Sequence, residues 1–321
     1  MIRLWLIALC TCCAAEDVII GEGAWRFRWH EQWFRLPAGE RWGGTHGGIA
    51  VDSTGRVYIT GEGAPAVRVF TPDGVQVATW GESLARGAHA LAFGKRGDAD
   101  VLWIPHLSRH EVTCHALDGT LIQTIAWPEA AKVHRDANAY RPTAVAPLPD
   151  GRIWIADGYG AHHVHRFAAD GTWSGMWRGA PFAKGAFNTP HGLAIDARRE
   201  PPVVVVADRA NARLQFITFD GTFRDPVGGF RNPCGVAIGP DAIAVPDLQG
   251  RVTLLDPDWK VIAQLGEAEA KQRGKYDVPL DKVTPGKFTA PHAAAWAPNG
   301  DLYVMDWNKT GRVTRLERVR P

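Results

Sequence analysis

Three observations predict an all-β chain built as one six-bladed β-propeller. A small-apolar frame recurs six times along the 321 residues. Asp-Gly turns punctuate the runs between its copies. An N-terminal segment of alternating character stands ahead of the first copy, where it can supply the strand that the last copy lacks.

Each unit repeats one series of elements. It opens on a small-apolar alternation such as Gly192-Leu193-Ala194-Ile195-Asp196, which suits an inner strand packed closely on its neighbours. A turn follows, as at Pro149-Asp150-Gly151 and Pro298-Asn299-Gly300. The second strand is β-branched and aromatic and usually ends in aspartate: Asp157, Asp208, Asp247 and Asp306. A third strand ends in an aromatic residue, as at Val164-His165-Arg166-Phe167. An Asp-Gly turn (Asp73-Gly74, Asp118-Gly119, Asp170-Gly171, Asp220-Gly221) then leads to a short fourth strand.

Successive units are offset by 42, 54, 48, 43 and 58 residues. The longest interval holds the polar stretch 267–285, expected to be a surface loop. The last unit has material for three strands before Pro321, and Ala24-Trp25-Arg26-Phe27-Arg28-Trp29 is expected to close the ring as its fourth. Closure of that kind leaves no exposed edge.

Composition excludes several classes. A formal net charge of +2, with scattered basic residues, gives no electrostatic case for nucleic acid or an anionic membrane. Hydrophobic residues make up 45% and tryptophans number 14, ample material for a core. Met1-Ile2-Arg3, the apolar run from Leu4 to Leu9 and Ala14-Ala15 read as a signal peptide over 1–15, with the propeller occupying 16–321. The apolar run is too short to span a bilayer. The residues before Cys10, Cys12 and Cys13 fit lipoprotein processing poorly, so cleavage and a secreted or periplasmic location are favoured over a lipid anchor. Cleavage leaves Cys114 and Cys234, whose pairing spacing does not decide. A monomer is the default for a closed ring.

The chemistry lies in one slot of the frame. His89, His191 and His292 occupy it in alternate units, 102 and 101 residues apart, while Gly47, Thr143 and Cys234 fill it in the others. In a closed ring of six, these imidazoles stand about 120° apart at one mouth. Three neutral imidazoles with an open fourth position suit Zn²⁺. The bland reading is that they are turn histidines facing a water-filled channel. The strand-end aspartates should lie near the same mouth, where turn-capping is their ordinary role, and His106 takes the corresponding place in the second unit. Tyr159, on a loop, is placed to act as acid or base, and Arg209 to bind a carboxylate. The cluster His162, His163 and His165 reads as a solvated strand face.

The frame Phe187-Asn188-Thr189-Pro190-His191-Gly192-Leu193-Ala194-Ile195-Asp196, followed by Ala207-Asp208-Arg209-Ala210-Asn211-Ala212-Arg213-Leu214-Gln215-Phe216, resembles NHL repeats. Among these it is most similar to the peptidyl-α-hydroxyglycine α-amidating lyases, over nearly the whole mature chain. The resemblance implies a catalytic zinc on His89, His191 and His292. It further implies Tyr159 as the base on the substrate hydroxyl and Arg209 as a substrate-binding residue. The implied reaction cleaves a peptidyl-α-hydroxyglycine into an amidated peptide and glyoxylate.

Three departures stand out. The family's arginine after the second strand of the first unit is missing from Tyr58-Ile59-Thr60-Gly61-Glu62-Gly63-Ala64. The acidic calcium-binding residue is Ala293 here, which argues against a structural Ca²⁺, and a family methionine is Ala290. Arg26, Arg28 and Arg109 are the candidates to replace the missing arginine in space. A non-catalytic NHL propeller binding a protein or glycan is the alternative function. A calcium-dependent lactonase is disfavoured, because such sites need oxygen ligands.

Overall fold

The computed structural model describes residues 17–180, 185–198 and 200–320. The expected signal peptide and its three cysteines lie outside the described residues. Strands dominate, and the helical segments among the described residues are three-residue 3-10 turns.

Six antiparallel sheets follow one another along the chain, five of four strands and one of five. Each begins at an inner strand and steps outward. In the fourth blade the series is Pro190–Asp196, Val203–Asp208, Arg213–Thr218 and Phe223–Val227. The Asp-Gly turns fall between third and fourth strands as expected, with Gly119 and Gly221 at φ +94° and +101°, where a side chain would be strained.

Ring closure follows the sequence expectation. Phe27–His30 pairs antiparallel with Arg312–Arg318, placing Phe27 opposite Arg318 and His30 opposite Arg315. Ile19–Ile20 then adds a fifth strand outside it. The sixth blade is therefore made from both ends of the chain.

The core is a set of sandwiches between neighbouring blades. Strand Val203–Asp208 shows how one run serves two of them. Val204 and Val206 pack with Trp154 and Ala156 of blade three, while Val205 and Ala207 pack with Ile243 and Val245 of blade five. A strand covered on both faces reads as a continuous apolar run, as this one does. Phe27 and Trp29 enter the cluster between blades five and six, beside Val252 and Leu254.

The stretch 267–285 differs from a plain surface loop. It contains two 3-10 turns, buries Ala268, Val278 and Val283, and stacks Tyr276 on Trp307 at 4.8 Å between ring centroids. It thus covers part of the mouth beside blade six.

Candidate metal centre

The slot residues open the inner strands, so the ring delivers His89, His191 and His292 to one axis. Their ring centroids lie 4.8, 4.8 and 5.0 Å apart, and all three residues are buried. Adjacent inner strands approach so closely that a Cβ on Gly192 would lie 2.6 Å from the Cys234 carbonyl oxygen. Small residues after the slot are what this convergence requires.

Each imidazole is oriented by the next blade. Nδ1 of His89 lies 2.7 Å from the Thr143 carbonyl, Nδ1 of His191 lies 2.7 Å from that of Cys234, and Nδ1 of His292 lies 3.2 Å from that of Gly47. A carbonyl only accepts, so Nδ1 carries the proton and Nε2 keeps its lone pair. The three slot residues without histidine therefore have a role: their backbones set the tautomer. Burial holds all three imidazoles well below the usual histidine range, so they are neutral at pH 7.

The lone pairs are unequal. Nε2 of His89 and of His292 is buried with no partner, a state that costs about 1–3 kcal/mol per group. Nε2 of His191 accepts from the Tyr159 hydroxyl at 2.9 Å, and Arg209 Nη1 donates to the same hydroxyl at 3.0 Å. Burial raises the Tyr159 pKa against the opposing pull of Arg209, so the phenol is protonated at rest. Arg209 also hydrogen-bonds Cys234, whose thiol burial pushes up to about 11. Tyr159 and Arg209 are thus brought to the histidines.

The strand-end aspartates take the capping role, with a consequence for the site. Asp306 Oδ1 accepts from the amides of Thr289 and Ala290, just before His292. Asp208 accepts from the Asn188 amide ahead of His191, and Asp247 from the amides of Arg231 and Asn232 ahead of Cys234. Asp157 does the same through the Arg141 amide ahead of Thr143. Each carboxylate folds the loop that delivers a slot residue. His106 stands in their place in blade two, its Nδ1 accepting from the Arg109 amide.

Several expectations need correction. His165 does not lie on a solvated face: it is fully buried, 3.9 Å through Nε2 from Asp157, whose carboxylate also accepts from His134 Nε2 at 2.6 Å. None of the three arginines considered as substitutes is free at the mouth. Arg28 pairs with Glu317 and Asp17 on the outer strand, Arg26 is exposed just before that strand, and Arg109 pairs with Glu111. The arginine that does line a cavity beside the histidines is Arg86, together with His46 and Glu62, in a space of about 260 Å³. Cys114 and Cys234 are both buried and unpaired.

Spacing also missed His46. Its ring packs edge-on against both His89 and His292, with centroids 4.9 Å from each. Donor atoms within 4.8 Å of one another form the trio His46, His89 and His292 and the trio His191, Cys234 and His292. His46 stands one residue ahead of the slot residue Gly47, and that offset was the available signal.

The donors fit a borderline divalent cation such as Zn²⁺. They are neutral, anchored through the far nitrogen, and two of them are unpartnered in the interior.

No family model matches the chain. It is 27% identical over 225 residues to "NHL repeat-containing protein 3" of Homo sapiens, covering 65% of this chain and 63% of that protein. It is 28% identical over 233 residues to "Probable peptidyl-alpha-hydroxyglycine alpha-amidating lyase pgal-1" of Caenorhabditis elegans, covering 70% of this chain and 62% of that protein. The chain thus spans somewhat less than two thirds of the length of these relatives. A solved streptogramin B lyase superposes with a TM-score of 0.60 over 92% of this chain and 99% of that one. At 13% identity that likeness shows the fold alone. The chain is a six-bladed propeller that resembles NHL-repeat proteins, an amidating lyase among them.

Proposed function

We propose that the protein is an exported zinc-dependent lyase of the amidating type, acting on a small-molecule or peptide substrate with a hydroxyl beside a C–N bond. The observation that carries this reading is the buried triangle of His89, His191 and His292, with Tyr159 and Arg209 bonded in series onto His191. A zinc ion held there supplies a Lewis acid for a substrate oxygen. Tyr159 is the residue placed to take the hydroxyl proton once its own phenol proton has passed to solvent, and Arg209 is placed to stabilise that phenolate. The electrons of the broken O–H bond form the aldehyde C=O, the C–N bond breaks, and the departing amide nitrogen is protonated. Arg86, which lines the adjoining cavity with His46 and Glu62, suits an anionic group of the substrate.

The test is glyoxylate release from a peptidyl-α-hydroxyglycine by the purified zinc-loaded protein. Release that is lost in Tyr159→Phe is expected. A zinc-loaded protein that releases none would confine the resemblance to the metal centre.

One observation favours the second reading, a non-catalytic propeller that binds a protein or glycan: blade one carries Thr60-Gly61-Glu62 where the lyases carry an arginine. Export rests on residues 1–15 and is checked by sequencing the N-terminus of the mature protein, expected near Glu16.

A further inference from the structure

Alternation around the ring accounts for three imidazoles, yet four meet at the mouth. His46 and His191 each pack against both His89 and His292. The Nδ1 atom of His46 lies 3.8 Å from Glu62 Oε1, so this carboxylate stands behind that side of the ring. The other oxygen of Glu62 accepts from the Tyr276 hydroxyl at 2.6 Å. Glu62 reaches this position only because Gly44 has no side chain, since a Cβ there would lie 2.1 Å from Oε2. Trp307 backs the His46 ring at 5.6 Å. A ring nitrogen of His46 lies within 4.8 Å of one from each of His89 and His292, whose Nε2 atoms have no partner.

We propose that His46 is a fourth protein ligand of the metal centre, held by Glu62 and Tyr276, so that the resting site carries four imidazoles. This rests on the reading of the three histidines as ligands. A carboxylate behind a ligating histidine orients the ring and raises its basicity, the part Glu62 is placed to play. Four protein ligands make a closed site, and three leave a position open. His46 is also the least buried of the four imidazoles. Its side chain is 23% exposed, and it borders the cavity of about 260 Å³ that Glu62 and Arg86 line. An entering substrate oxygen would displace His46 or expand the coordination, so this residue governs access to the site.

The experiment uses the full chain, loaded with Zn²⁺ for affinity and with Co²⁺ for spectroscopy, as wild type, His46→Gln, Glu62→Gln and His191→Ala. X-ray absorption on the zinc form should count one imidazole fewer in His46→Gln, and the cobalt d–d bands should shift. Zinc affinity, measured against a competing chelator, should fall at least tenfold in His46→Gln. In Glu62→Gln, which keeps the ligand, it should fall roughly 10- to 100-fold. Unchanged affinity, imidazole count and cobalt spectrum in both variants, with the ion lost from His191→Ala, would overturn the role of His46 and leave the three-histidine centre standing. A wild-type protein that binds neither ion would overturn both.

Discussion

Nδ1 of His89 donates to the carbonyl oxygen of Thr143 at 2.7 Å, and this bond joins a histidine blade to the blade that lacks one. The same step recurs from His191 to Cys234 and from His292 to Gly47, so each imidazole leans on the following blade. The ring therefore orients its own donors with backbone carbonyls, which substitution of a side chain does not remove. Tyr159 completes the arrangement on His191 alone, which makes the two sides of the mouth unequal.

Replacing Tyr159 by Phe removes the hydroxyl while keeping the ring that packs on His89 and His191. Metal content should stay at the wild-type level, and glyoxylate release should fall by roughly 10²–10⁴, the usual contribution of a positioned acid–base group. Wild-type turnover in this variant would remove the phenol from the chemistry.

Asp306 is the most heavily bonded strand-end carboxylate on the His292 side. Asp306→Ala would strand the Thr289 and Ala290 amides and leave the buried Arg312 guanidinium with Glu31 as its remaining carboxylate partner. Loss of one member of a buried pair costs roughly 3–5 kcal/mol, to be read from urea unfolding. Zinc affinity should fall as well, because the loop that delivers His292 loses its clamp. A stability change within experimental error would mean that the clamp is redundant.

Acid stability should report Asp157. Burial pushes its pKa up, but the hydrogen bonds from His134 and from the amides of Ala161 and Arg141, with the His165 ring 3.9 Å away, outweigh that and bring it to about 2. An unfolded aspartate titrates near pH 3.9, so the folded value is depressed. The stabilisation is therefore complete above about pH 4 and is lost as pH falls toward 2, by roughly 2–3 kcal/mol. Asp157→Asn should flatten that part of the stability–pH curve, and an unchanged curve would show that the carboxylate is not the group responsible.

Ring closure can be tested at Phe27, which is fully buried between blades five and six. Phe27→Ala should destabilise the whole domain by roughly 3–5 kcal/mol in one cooperative transition. A small, local effect would mean that the N-terminal strand decorates a ring that is stable without it.

The fold was legible because each of the first five blades is local, with its strands and turns inside about fifty residues, and the same frame recurs in successive units. The convergence of His89, His191 and His292 was legible for the same reason, through equal places in equal units. His46 was not, since its loop is set by the far end of the chain. The Thr45 amide donates to the Asn308 carbonyl and the Thr45 hydroxyl to that of Asp306, and Tyr276 reaches across to Glu62. Burial of His165 was hidden likewise, because His134, which packs against its ring and bonds Asp157, comes from the segment between blades two and three. The arginines posed the same difficulty. Spacing offered Arg26, Arg28 and Arg109, whereas the residue beside the histidines is Arg86, in the turn that precedes the inner strand of blade two.

The central claim is that the three alternating histidines hold a metal ion, and elemental analysis of the purified mature protein tests it most directly. About one equivalent of zinc per chain, lost in His191→Ala, is the predicted result. Less than roughly a tenth of an equivalent in the wild type, unchanged by the substitution, would contradict it.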